Sequence, residues 1–159
     1  MSIAYINIGS NMGNRRALIE QAVAHIELLC NTKANISPII ESKPWGYESQ
    51  NLFLNIGIAI ETQIEPTALL KELLNIEKNI SATSHRDEHG NYVDRQIDID
   101  LIAVDQITID NSTLQLPHPR MHERDFVLTP MLHLNPQWKH PLLNKTITEL
   151  HHSLYEKDY

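Results

Sequence analysis

An α+β sandwich, with helices on one side of a mostly antiparallel sheet, is the fold this sequence predicts, and three observations predict it. Two-residue alternation of apolar side chains, the mark of a strand, occupies residues 3–8, 52–61 and 96–105. Helical spacing of apolar residues fills the stretches between them, at 14–29 and 65–80. The resulting order, β-α-β-β-α-β and then short elements, fits within 159 residues, a length suited to one domain over residues 1–159 with one buried core.

Ile3 to Ile8 reads as the first strand, with Tyr5 among aliphatics, and Gly9-Ser10-Asn11 ends it. Asn14 is placed to cap a helix reaching about Leu29, since Leu18, Ala22, Ile26 and Leu29 recur at helical spacing. Residues 35–42 form a second strand, interrupted or edged by Pro38, which has no N–H for a ladder. Residues 43–50 are a loop by their Pro and Gly, yet they carry Trp45 and Tyr47. The clearest strand follows: Leu54, Ile56, Ile58 and Ile60 share one face, and Phe53, Asn55, Gly57 and Ala59 the other. Pro66 opens a second helix in its first turn, with Leu69, Leu73, Ile76 and Ile80 as the apolar stripe and Glu77 off it. Residues 81–94 lack apolar periodicity and read as a long polar loop, a kind of segment that is often functional. Alternation resumes from Gln96 to Asp105. Short strands are expected at 107–109 and around Leu114 and Leu116, then a helix near Phe126–Leu132 and another over about 146–154.

Composition narrows the function. Thirteen Lys+Arg against twenty Asp+Glu give a formal charge of −7, which argues against bulk nucleic-acid or membrane-surface binding. An anionic substrate would need metal ions or a few placed cations. Cys30 is the single cysteine, so no internal disulfide forms, and its helical setting suggests a buried, reduced thiol. No apolar run approaches the roughly 20 residues of a membrane span. A cytoplasmic protein acting as a monomer is expected.

Asp98-Ile99-Asp100 is the strongest local signal. Residues two apart on a strand share a face, with Cβ atoms roughly 6–7 Å apart, so both carboxylates can converge on one Mg²⁺ or on two neighbouring ions. The plainer alternative is a solvated strand face bearing two acids. Arg95 adds a cation three residues earlier; Arg120 and Arg124, with His118 between prolines, form a second basic cluster suited to bidentate phosphate binding. Phe53 and Asn55 share a strand face, and an aromatic plate beside an amide can hold a flat heterocycle by stacking and paired hydrogen bonds. A second small core around Phe53 is the structural alternative. Neither G-x-x-x-x-G-K-[ST] nor G-x-G-x-x-G is present. His85/His89 and His118/His122 have metal-like spacing, but a loop and flanking prolines, with no cysteine partner, argue against zinc.

Five pieces in register carry a family resemblance: Gly9-Ser10-Asn11; Pro44-Trp45-Gly46; Phe53-Leu54-Asn55; Arg95-x-x-Asp98-x-Asp100 with Leu101-Ile102; and Leu116-Pro117-His118 with Arg124-x-Phe126. Over roughly residues 3–150 the chain resembles 6-hydroxymethyl-7,8-dihydropterin pyrophosphokinases of folate biosynthesis. The resemblance implies a ferredoxin-like α+β sandwich and transfer of pyrophosphate from ATP to the pterin hydroxymethyl group, releasing AMP. By that resemblance Asp98 and Asp100 would ligate two Mg²⁺ ions with ATP. Phe53 and Phe126 would sandwich the pterin, with Asn55 and the backbone around Ser42, Pro44 and Trp45 reading its edge. His118, Arg95, Arg124, Leu101 and Glu77 would serve ATP, with Glu77 on the substrate-facing side of its helix. The sequence departs from the family's pattern at Tyr92-Val93-Asp94-Arg95, where a Trp-Gly-Pro-Arg run is common. Only Arg86 stands in place of two loop arginines; it is the residue expected to act on the transferring group.

Two other classes share parts of this pattern and fit it less well. Nucleotidyltransferases also pair a Gly-Ser with Asp-x-Asp, but close together in sequence, whereas Ser10 and Asp98 lie far apart here. An RNA-recognition domain needs a basic sheet face with several aromatics, and this chain is acidic with two Phe.

Overall fold

Strand β1 (Ser2–Ser10) is buried on both faces along most of its length, which places it inside the sheet. It pairs antiparallel with β4 (Phe53–Thr62) on one side and with β5 (Asp98–Val104) on the other. β2 (Asn35–Ile36) and β3 (Ile40–Ser42) both pair with the far side of β4, so the strand expected at 35–42 is split around Pro38. The order β2-β4-β1-β5, antiparallel throughout, is the ferredoxin-like arrangement. The structure is a computed structural model and describes residues 1–45, 47, 49–81 and 96–156. His85, Arg86, Arg95 and nearly all of the polar loop lie outside the described residues.

Helices α1 (Arg15–Cys30) and α2 (Pro66–Ile80) lie under one face of the sheet. The Asn14 side chain accepts the Ala17 N–H at 3.2 Å and starts α1, and Asn31 in the left-handed conformation (φ 55°) ends it. Ile19, Ala22 and Ile26 of α1 and Leu69 and Leu73 of α2 pack on Ile6, Ile8, Ile56, Ile58, Ile99 and Leu101. Each such side chain contributes about 1.5–3 kcal/mol of burial, which makes this the main core. Cys30, the last residue of α1, is half-buried instead of fully so, and burial pushes its thiol pKa up.

The helices were expected on one side; they occupy both. α3 (Asp125–Leu134) and α4 (Ile147–Glu156) cover the opposite face, where Val127, Leu128, Met131 and Leu150 meet Tyr5, Ala59, Ile102 and Ala103. The reason lies in the strands themselves: near this end their second faces are also apolar and require cover. Gly57 lets α3 approach, since a Cβ there would sit 2.8 Å from the Cβ of Pro130. Trp138 closes this layer, donating from Nε1 to the Asp105 carbonyl at 2.8 Å and meeting Tyr5 edge-on.

A register shift in β5 separates the two halves of that face. Tyr5 faces Ala103 and Ile6 faces Leu101, so Ile102 is an extra residue. The second helical layer covers the Tyr5 end of the face. The Asn7–Gly9 end carries the candidate site. β6 (Ile109–Asp110) and β7 (Gln115–Leu116) form a small hairpin before a 3₁₀ turn at Met121–Glu123. Among the described residues no helix is long and apolar enough to cross a membrane.

Candidate active site

The floor of the site is set by strand register. Gly9 of β1 lies between Asp98 of β5 and Asn55 of β4, and in the next row on that face Asn7 lies between Asp100 and Gly57. Strands sit about 4.8 Å apart, so the carboxylate side of the floor is roughly 10 Å of backbone from the amide side. Gly9 has no side chain to fill the gap. A Cβ there would come within 2.7 Å of Asn55 Oδ1 and 3.2 Å of Phe53 Cδ1.

Each floor residue is held. The buried Asn55 donates from Nδ2 to Ser42 Oγ at 2.7 Å, which orients its amide and ties β3 to β4. The buried Asn7 donates from Nδ2 to the Phe126 carbonyl at 2.8 Å, pinning the start of α3 over the sheet. The buried Asn11 donates to Tyr47 Oη at 3.0 Å and to the Asn51 carbonyl at 3.3 Å, and Arg15 donates to the Leu52 carbonyl at 2.8 Å. These bonds hold the aromatic loop against the end of β1. The buried polar groups are thus satisfied by specific partners, which fixes their geometry.

The walls combine aromatics and cations. Arg124, at the cap of α3, places its guanidinium carbon 4.5 Å from the Trp45 ring centre and 5.6 Å from that of Phe126; Arg120 lies 5.1 Å from Trp45. Such contacts hold each guanidinium against an aromatic ring, and the planar N–H fork of a guanidinium suits a phosphate. Phe53, Phe126, Trp45, Lys43, His118 and Arg124 line one cleft with Asn55, Asp98 and Asp100.

His118 is neutral at physiological pH. Burial, with the nearby charges of Arg124 and Arg120, lowers its pKa to about 4. Its Nδ1 accepts the Arg120 N–H at 3.2 Å, so the neutral ring carries its proton on Nε2. Because the folded-state pKa lies below the unfolded one, stability falls as pH drops from about 6.5 towards 4 and levels off below that. An NMR titration of the free protein is expected to show the His118 ring protonating near pH 4; a midpoint near 6.5 would refute the buried, cation-flanked setting.

The structure brings Ser42, Trp45, Phe53, Asn55, Asp98, Asp100, His118, Arg124 and Phe126 to one cleft. Pro44 adjoins the cleft without lining it. The Leu101 side chain is turned to the opposite face, in the main core, so only its backbone is available to a nucleotide. Arg86 and Arg95 lie outside the described residues. Glu77 requires correction: it is not off the apolar stripe but on it, buried with Leu69 and Leu73, and its Oε2 accepts the Ile99 N–H at 2.8 Å. Asn7, Gly9, Lys43 and Tyr47 were not singled out from the sequence as site residues. For Asn7 a signal existed, a polar residue between Ile6 and Ile8 with the parity of Gly9.

Comparison with known proteins agrees with this geometry. Residues 5–136 match the family described as 7,8-dihydro-6-hydroxymethylpterin-pyrophosphokinase (HPPK). The chain is 34% identical over 149 residues to the 2-amino-4-hydroxy-6-hydroxymethyldihydropteridine pyrophosphokinase of Aquifex aeolicus, covering 94% of this chain and 90% of that protein. Identity to the protein of the same name from Bacillus subtilis is 36% over 137 residues, covering 86% and 80% respectively. Among solved structures, an HPPK-DHPS in complex with substrates shares the fold with a TM-score of 0.77 at 15% identity, over 99% of this chain. This chain spans 43% of that longer one. With two relatives above 30% identity along most of their length, the chain belongs to the 7,8-dihydro-6-hydroxymethylpterin-pyrophosphokinase family.

Proposed function

We propose that the protein transfers pyrophosphate from ATP to the hydroxymethyl group of 6-hydroxymethyl-7,8-dihydropterin, giving the pterin diphosphate and AMP in folate biosynthesis. The observation that carries this reading is the shared floor: a paired-carboxylate strand and an amide–aromatic strand separated only by Gly9. One end suits a metal-bound polyphosphate, the other a flat heterocycle, and both open on one cleft.

In this reading Phe53 and Phe126 stack on the pterin, while the Asn55 amide, oriented by Ser42, reads its edge by hydrogen bonds. Arg124 and the neutral His118 Nε2–H donate to phosphate oxygens, one as a charged fork and the other as an uncharged donor. The pterin hydroxyl oxygen bonds to the β-phosphorus, the bond from that phosphorus to the α–β bridging oxygen breaks, AMP leaves with the bridging oxygen, and the hydroxyl proton passes to solvent. The chain's share of the catalysis is positioning and electrostatic complementarity.

The donor set fits magnesium. Asp98 and Asp100 offer hard oxygen ligands on one strand face, and among the described residues no group of three or more acidic, His or Cys side chains forms a closed metal cage. Two carboxylates, completed by substrate phosphates and water, is the pattern Mg²⁺ takes, and with ATP two ions are proposed. When bound, the metal supplies charge neutralisation on the phosphates.

Incubated with Mg-ATP and the hydroxymethyl dihydropterin, the protein is expected to release AMP in step with pterin consumption. ADP, free pyrophosphate or no turnover would overturn the assignment. Phe126→Ala is expected to weaken pterin binding roughly ten- to hundredfold, from about 1–3 kcal/mol of stacking, and ATP binding far less. Calorimetry with each ligand separately checks this, and equal losses for both would mean the ring is only structural.

A further inference from the structure

The geometry points to Glu77 as a positioning residue that holds the carboxylate-bearing strand from behind. This inference rests on the metal-and-ATP reading of Asp98 and Asp100. β5 is an edge strand: among the described residues it pairs with β1 alone in the five-stranded sheet. In an antiparallel pair, alternate N–H groups point away from the partner, and on an edge they need another acceptor. Ile99 lies directly between Asp98 and Asp100, and its N–H is taken by Glu77 Oε2 at 2.8 Å. Both partners are buried, Glu77 at 9% exposed and Ile99 at 3%.

Glu77 is itself held. It shares the buried face of α2 with Leu69 and Leu73, both fully buried under the sheet, so the helix cannot turn to release it. It is not among the described residues that line the cleft. Its Oε2 meets the backbone between the two aspartates. The strand keeps its pleat at that point, and the pleat sets the separation at which Asp98 and Asp100 present their oxygens to a cation. A buried carboxylate is costly, and a neutral acceptor would serve for the bond alone, so the isosteric amide is the informative substitution.

Two variants test this. Glu77→Gln keeps an acceptor of the same shape, and Glu77→Met keeps the shape without it. In the free protein, hydrogen exchange at the Ile99 amide is expected to stay slow in wild type and Glu77→Gln and to quicken at least about tenfold in Glu77→Met. Calorimetric binding of Mn²⁺ with a non-hydrolysable ATP analogue is expected to weaken about tenfold in Glu77→Met and to remain within about twofold of wild type in Glu77→Gln. If Glu77→Met does not fold, Glu77→Gln decides alone. A Glu77→Gln variant that loses metal–nucleotide binding overturns the proposal, because the charge and not the strand bond would then be what matters. Unchanged Ile99 exchange or unchanged binding in a folded Glu77→Met overturns it as well. Wild-type protein that binds no Mn²⁺–nucleotide would sink the reading of the aspartates instead, a result distinct from the exchange measurement.

Discussion

Replacing Asp98 or Asp100 by Asn is expected to lower turnover about a thousandfold while leaving the fold intact, a loss of about 4 kcal/mol of transition-state stabilisation. Asn matches Asp in shape, so packing on the strand is unchanged, and the charge removed is one of a like-charged pair on one face. Melting without metal is therefore expected within a few degrees of wild type. Pterin binding alone should also persist, because Phe53, Asn55 and Phe126 reach the cleft from β4 and α3. Activity at several Mg²⁺ concentrations, thermal melts and pterin calorimetry together separate a lost metal ligand from a damaged fold. Near-normal turnover in either variant would refute the assignment.

The two aspartates were legible in the sequence because the signal is local. A strand repeats every two residues, so the parity that puts Ile97, Ile99 and Leu101 in the core also puts Asp98 and Asp100 on the other face. Phe53 and Asn55 were legible for the same reason. What lies beside them was not, because it depends on pairing between distant strands: Gly9 faces both Asn55 and Asp98 only once the register is known. The extra residue at Ile102 is likewise invisible to a period-two pattern, yet it puts the neighbours Ile102 and Ala103 on the same face. Leu101, beside the aspartates in sequence, has its side chain away from the cleft by the same parity as Ile97 and Ile99.

The misreading of Glu77 has a similar cause. An acid four residues after Leu73 counts as polar in any hydrophobic pattern, while its partner, the Ile99 N–H, is 22 residues away and belongs to the backbone. The second helical layer was missed because α3 contains Pro130 and α4 is ten residues long, so neither advertises which sheet face it covers. The contact of Trp45 with Arg120 and Arg124 joins a loop to a helix cap and has no sequence signature.

Gly9→Ala is the substitution expected to separate the two ends of the site. The added methyl would lie 2.7 Å from Asn55 Oδ1 and 3.2 Å from Phe53 Cδ1, closer than such contacts tolerate. Neither neighbour yields easily. Asn55 is 3% exposed and bonded to Ser42, and Phe53 is 8% exposed on a strand paired with β1 and β3. Overpacking of this kind costs about 1–3 kcal/mol of stability, so the melting temperature should fall by several degrees. The larger effect is on binding. To admit the methyl, the Asn55 amide and the Phe53 ring must move together, and these are the groups assigned to the pterin's edge and plane. Pterin affinity is therefore expected to fall about a hundredfold, the sum of a displaced hydrogen-bonding amide and a displaced stacking ring. Asp98, Asp100, His118 and Arg124 are not among the atoms nearest the methyl, so binding of a non-hydrolysable ATP analogue should change little. Calorimetry with each ligand, alongside a thermal melt, reads all three quantities from one preparation. A variant that melts lower yet binds pterin as wild type does would mean that the heterocycle does not rest on the Gly9 floor, and that Asn55 and Phe53 are structural.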